Sequence, residues 1–186
     1  MTATHVSENA PFSASLRKLY FIRFAFAVLW AVVLFTAGST GGVLLTVLLV
    51  VYPLVDAVAV LTQLRAEGAA QASRVPEWAN VVVSVAAAIA LGIASTMSVS
   101  AVLLAWGFWA VTAGAVQLVA AVLRRSLGGQ IPLIVSGAIS VLAGAGFAAG
   151  SGTATNTAGI GGYAILGGIF FLVAAIRLNV LLPRAS

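Results

Sequence analysis

Two ionisable side chains stand well inside apolar stretches: Arg23 in LRKLYFIRFAFAVLWAVVLFTA and Asp56 in VYPLVDAVAVLTQLR. If these stretches cross a bilayer, a rise of 1.5 Å per residue from their basic ends puts Arg23 about 7 Å deep and Asp56 about 12 Å deep. Insertion scales charge roughly 2.5–3.5 kcal/mol for such an ion at mid-membrane, so each needs a partner or a task. On adjacent antiparallel helices at comparable depth the two can pair, and the pair would fix the register of those helices. The alternative is a proton-responsive carboxylate at Asp56, since desolvation and a neighbouring guanidinium act on it in opposite directions.

The remaining polar groups in apolar stretches are uncharged. Ser84, Thr112, Gln117, Ser136 and Ser140 are expected to hydrogen-bond between helices, at about 0.6 kcal/mol each, or to line a polar path through the interior. Pro53 removes a backbone donor in the middle of its stretch and predicts a kink. Gly114, Gly144 and Gly168 are expected to let helices approach closely, as are the spaced pairs Ala110/Gly114 and Gly146/Gly150. Trp30, Trp78, Trp106 and Trp109 are expected at the membrane interface or in packing, with Trp78 best suited to the interface.

Chemistry beyond this has no visible seat. There is no HExxH, nucleophile elbow, phosphate-binding glycine loop or paired carboxylate motif. The chain has no cysteine and one histidine, His5, in a polar N-terminal stretch. Glu67 and Glu77 fall in a polar connection and are expected to be solvated. No catalytic, cofactor or metal site is therefore expected, and an enzyme is not.

The elements that must hold these residues follow from composition. Of 186 residues 62% are hydrophobic and 7% charged, and the mean hydropathy is +1.15. That surface suits lipid rather than water. Apolar runs of spanning length cover about residues 16–37, 43–64, 78–96, 101–123, 131–149 and 159–182, flanked by a polar tail at 1–15 and a short tail at 183–186. The expected fold is all-α, a six-helix integral membrane bundle.

With six spans, all nine Lys and Arg residues (Arg17, Lys18, Arg23, Arg65, Arg74, Arg124, Arg125, Arg177 and Arg184) belong to one side of the membrane. The bias of basic residues toward the cytoplasm then predicts that both termini and both basic loops are cytoplasmic. The net charge of +5 and the isoelectric point near 10.8 are read as attraction to anionic headgroups, not to nucleic acid. The partners expected are the lipid bilayer and, through the glycine faces, a second copy or another membrane protein.

An outline recurs along the chain. Tyr52, Trp109 and Tyr163 lie 57 and 54 residues apart, each leading an apolar run that ends on Arg65, Arg124 or Arg177. This spacing predicts three consecutive helical hairpins and an approximate threefold arrangement.

Tyr52-x-x-x-Asp56 with Arg65, Trp109-x-x-x-x-Gly114 through Gln117 to Arg124 and Arg125, and Tyr163-x-x-x-Gly167-Gly168 through Ala174, Ala175 and Arg177 carry a resemblance. Over roughly residues 16–180 the chain resembles the HdeD-like acid-resistance membrane proteins, six-span bacterial proteins built of short repeats. The resemblance implies a plasma-membrane protein tied to acid or envelope stress tolerance, with no defined reaction. Pro53 and Ala57 depart from the pattern, which usually keeps that tract unbroken or places glycine there. From a different class, the interior around Asp56 would suit a small channel or carrier for protons or neutral solutes.

Overall fold

The computed structural model describes residues 10–36, 42–66, 74–127 and 130–181. His5, Glu67, Arg184, residues 183–186 and most of the turn at 38–42 lie outside them. Six α-helices account for most of the described residues: α1 (Ala10–Thr36), α2 (Gly42–Ala66), α3 (Val75–Ala94), α4 (Val99–Leu123), α5 (Ile131–Gly150) and α6 (Ala158–Leu181). No strand occurs among the described residues. All six helices are long and apolar enough to cross a membrane.

Local chemistry explains where the helices begin. Pro76 and Pro132 sit in the first turns of α3 and α5, where a missing backbone donor costs nothing. Ser98 caps α4 by accepting from the Ala101 amide at 3.1 Å, and Asn156 accepts from the Ala158 amide at 3.0 Å ahead of α6. Gly42 opens α2 with φ +74°, a conformation that favours glycine.

Two starts differ from expectation. The first helix begins at Ala10 rather than near Leu16, because Pro11 occupies its first turn and does not interrupt it. The third begins at Val75 rather than Trp78, which brings Glu77 out of the polar connection and into a helical turn.

The helices form a closed ring in which each packs on its neighbours in sequence and α1 packs on α6. Extensive and slighter interfaces alternate round it. The most extensive are α4–α5, α1–α6 and α2–α3, whereas α1–α2 and α5–α6 are slight. Helices consecutive in sequence do pack on one another, but the tight pairs are the ones joined at the basic end, or through ring closure.

The reason is visible in α4 and α5. Gly107 and Gly114 face Gly144 and Gly137 reciprocally, so that a Cβ on Gly107 would come 2.6 Å from the Gly144 carbonyl oxygen and one on Gly137 would come 2.8 Å from that of Gly114. Backbones this close maximise dispersion contact where water cannot drive association. Gly168 plays a milder part on α6, where a Cβ would meet that of Ala27 on α1 at 3.1 Å. Gly146 and Gly150 make no such contact within the monomer: among the described residues each faces open space.

Large apolar side chains dominate the outer surface between the ends of the bundle. Phe108, Leu142 and Val180 expose 68%, 73% and 78% of their surface, while Gln63, Glu77, Asn80, Ser84, Arg124, Gln130, Ser136 and Ser140 are buried. Polar groups inside and large aliphatics outside suit a hydrocarbon solvent. The chain is an all-helical, multi-pass membrane protein.

Candidate functional site

The interior holds a cavity of about 90 Å³ to which all six helices contribute. Its lining positions recur. Tyr20, Glu77 and Leu133 stand 57 and 56 residues apart on α1, α3 and α5, as do Arg23, Asn80 and Ser136, and all six line the cavity. On α2, α4 and α6, Tyr52, Trp109 and Tyr163 line it too.

Arg23 and Asp56 form the expected ion pair, through the guanidinium Nη2 and carboxylate Oδ1. The second oxygen, Oδ2, accepts from the Asn80 side-chain amide at 2.6 Å and from the Ser84 hydroxyl at 3.0 Å. Ser84 in turn accepts from the Trp109 indole at 3.0 Å. One carboxylate thus ties α1, α2 and α3 together, and Ser84 carries the connection to α4. The Arg23 guanidinium also lies 4.1 Å from the centroid of the Phe171 ring on α6, a favourable cation–π placement.

Other expected interior groups fall into place around this centre. Tyr163 donates to Ser140 at 3.1 Å, joining α6 to α5. The Gln117 amide donates to the Leu133 carbonyl at 3.3 Å, joining α4 to α5. Ser136 is buried and lines the cavity, as does Gly114. Pro53 is buried in a helix that continues on both sides of it; it deprives the Leu49 carbonyl of its helical donor, and one residue earlier the Leu48 carbonyl accepts the Trp30 indole at 2.8 Å.

Thr112 does not join helices. It is exposed and bonds to the Phe108 and Trp109 carbonyls of its own helix, a way for a hydroxyl to satisfy itself on a lipid-facing surface.

Glu77 corrects a second expectation. It is not solvated: it pairs with Arg124, and both side chains are about 95% buried. The Gln63 amide, with its oxygen turned to the guanidinium, accepts from Arg124 as well. By residue type alone a glutamate beside a polar connection is indistinguishable from a solvated loop charge. The signal was the spacing: Glu77, Asn80 and Ser84 share one face of α3, as Asp56 and Gln63 share one face of α2.

These groups bound the cavity at its two ends. Gln63, Glu77 and Arg124 lie where α2 and α4 end and α3 begins, the end of the bundle that carries the basic residues. Toward the other end the interior is filled by rings. Trp30 stacks on Trp106 at 5.8 Å, Tyr52 and Trp109 meet Trp106 at 5.4 Å and 5.0 Å, and Tyr163 meets it edge-on at 6.2 Å. The tryptophans other than Trp78 are therefore packed in the interior, whereas Trp78 is half exposed at the start of α3. The three aromatics that lead the recurring outline converge on a single cluster.

No family model, curated protein or solved structure matches the chain. Among the described residues no group of three or more His, Asp or Glu side chains is placed to hold a metal ion.

Proposed function

We propose that this protein is a non-enzymatic carrier of the bacterial plasma membrane that holds a small solute in the cavity beside Asp56. One observation carries the proposal: buried polar and charged side chains gather round an internal cavity, between an ion-paired end and an aromatic end. A protein needing only a stable bundle gains nothing from an interior void, because unfilled volume forfeits packing contacts. Bulky rings across the path argue for a carrier rather than an open pore, since conduction needs a continuous polar route.

The placement of basic residues supports both termini in the cytoplasm. The resemblance of the Tyr52, Trp109 and Tyr163 segments to HdeD-like proteins supports a setting in acid or envelope stress. The recurrent lining positions support an origin in three repeats. The glycines with open space beside them, Gly146, Gly150 and Gly162, leave room for a second copy or another membrane protein.

Purified protein in sealed proteoliposomes tests the proposal directly. Solute flux that depends on the protein and falls with Asp56→Asn supports a carrier; vesicles as tight as protein-free controls to every solute refute it. A second role then remains for the same carboxylate. Its four-helix connection suits a purely architectural cross-link, and stress survival that follows protein level alone would select it.

A further inference from the structure

We propose that the cavity binds a small uncharged solute rich in hydroxyl or amide groups, of the polyol or urea class, rather than an ion. The transport part of this rests on the carrier proposal; the binding part does not.

The charges come first. Four charged side chains line the cavity: Arg23, Asp56, Glu77 and Arg124. They pair off as Arg23 with Asp56 and Glu77 with Arg124, so the lining carries no net charge. Both oxygens of Asp56 are taken, by Arg23 on one and by Asn80 and Ser84 on the other, and the oxygen of Glu77 that lacks a partner among the described residues, Oε2, has no accessible surface to offer an ion. An entering ion would shed its hydration shell and find no countercharge released to meet it.

The neutral groups present the opposite case. Tyr52 on α2 and Ser136 on α5 line the cavity, and their hydroxyls have no hydrogen-bond partner among the described residues. Gln117 on α4 also lines the cavity; its amide nitrogen is used on Leu133, and its oxygen has no partner among the described residues. Two donor-acceptors and one acceptor are thus available from three helices, while Trp109, Tyr163 and Phe171 add aromatic lining. Apolar walls with a few fixed polar groups are the ordinary make-up of a small-molecule site. At about 90 Å³ the space suits roughly three waters at liquid density, or one small polar solute in their place.

Gly167 provides the means of testing this. It lines the cavity, and a Cβ there would meet nothing within 4 Å. Gly167→Leu therefore adds volume to the cavity wall at a position where a Cβ meets no neighbouring helix. Gly162→Leu, on the exposed side of the same helix and equally unobstructed, is its control.

The experiment titrates glycerol and urea against sodium acetate and ammonium chloride, using the full-length protein in detergent and following the tryptophan fluorescence to which Trp109 contributes. The expected result is saturable change with glycerol and urea alone, kept in Gly162→Leu and weakened about tenfold or more in Gly167→Leu. Ser136→Ala should weaken it about three- to tenfold, the effect of one neutral hydrogen bond. Ala113→Leu, from another wall of the same cavity, repeats the occlusion should Gly167→Leu not fold.

Saturation by acetate or ammonium in place of the neutral solutes overturns the ligand class. No saturable response to glycerol or urea, or one indifferent to both occluding variants, overturns the site. Glycerol uptake by proteoliposomes is read separately. Binding without uptake leaves the ligand class standing and removes the carrier; uptake of ions alone does the reverse.

Discussion

Glu77 and Arg124, 47 residues apart in sequence, meet as a buried ion pair at the end of the bundle where α2 and α4 finish and α3 starts. One oxygen of Glu77, Oε2, is buried there without a hydrogen-bond partner among the described residues. Removing one member of such a pair strands the other in a low dielectric, whereas replacing both with apolar groups of similar size spares the desolvation of each.

The first prediction follows from that asymmetry. Arg124→Met alone should destabilise the protein by about 3–5 kcal/mol, and the double variant Glu77→Leu with Arg124→Met should recover most of the loss. Reversible unfolding in mixed detergent measures both. Equal losses in the single and double variants would contradict the pairing.

Asp56 should behave differently, because its partners are more numerous. Asp56→Asn retains an oxygen but gives up the charge facing Arg23, so a loss of about 3–5 kcal/mol is expected. Ser84→Ala removes one neutral bond to the same carboxylate, and about 0.6 kcal/mol should go with it. Comparing the two in the same unfolding assay separates the charged contribution from the neutral one.

The glycine contacts between α4 and α5 make a sharp spatial prediction. Gly144→Val would drive a branched side chain into the Gly107 backbone, with no flexible neighbour to yield, and a loss of about 3 kcal/mol or more is expected. Gly146→Val, two residues along the same helix but facing open space, should be close to neutral. Thermal inactivation midpoints of the two variants give the comparison.

Trp106 and Trp109 allow the indole hydrogen bond to be isolated. Both are buried, but Trp109 donates to Ser84 and the Trp106 nitrogen has no partner among the described residues. Replacement of either by Phe removes comparable volume. Trp109→Phe should cost more by about 0.5–1.5 kcal/mol, the value of one hydrogen bond, and equilibrium unfolding reads that difference.

Sidedness can be checked without background, since the chain has no native cysteine. Met97, exposed in the turn between α3 and α4, and Arg125, exposed after α4, lie at opposite ends of the bundle. With cytoplasmic termini, a membrane-impermeant maleimide added to intact cells should label Met97→Cys and reach Arg125→Cys only after permeabilisation. The reverse pattern would invert the proposed orientation.

Helix number and type were legible in the sequence because lipid leaves the backbone few alternatives: apolar runs of spanning length are read almost directly. The Arg23–Asp56 pair was legible for the same reason, as two costly charges at similar depth have an obvious way to offset one another. The Glu77–Arg124 pair was not, because at a helix end the same residues could as well sit in water. Helix pairing was obscured too. Short turns suggested hairpins as units, but the length of a connection limits which helices are adjacent, not which interface is tightest. That is decided by small residues in register, and only one member of each reciprocal glycine pair in α4 and α5, Gly114 and Gly144, had stood out. The convergence of Tyr52, Trp109 and Tyr163 was foreshadowed by their spacing, although nothing in the spacing told that Trp106 would stand among them.

Because α1 is seated against α6, the order of synthesis leaves the earliest helix waiting. At translation rates of about 5–20 residues per second, roughly ten seconds separate the emergence of α1 from that of its companion. During that interval the face of α1 that bears Ala27 rests against lipid, or against a chaperone that shields it. A nascent chain halted before α6 would keep this seam open, a mark by which membrane proteases could tell unfinished molecules from completed ones.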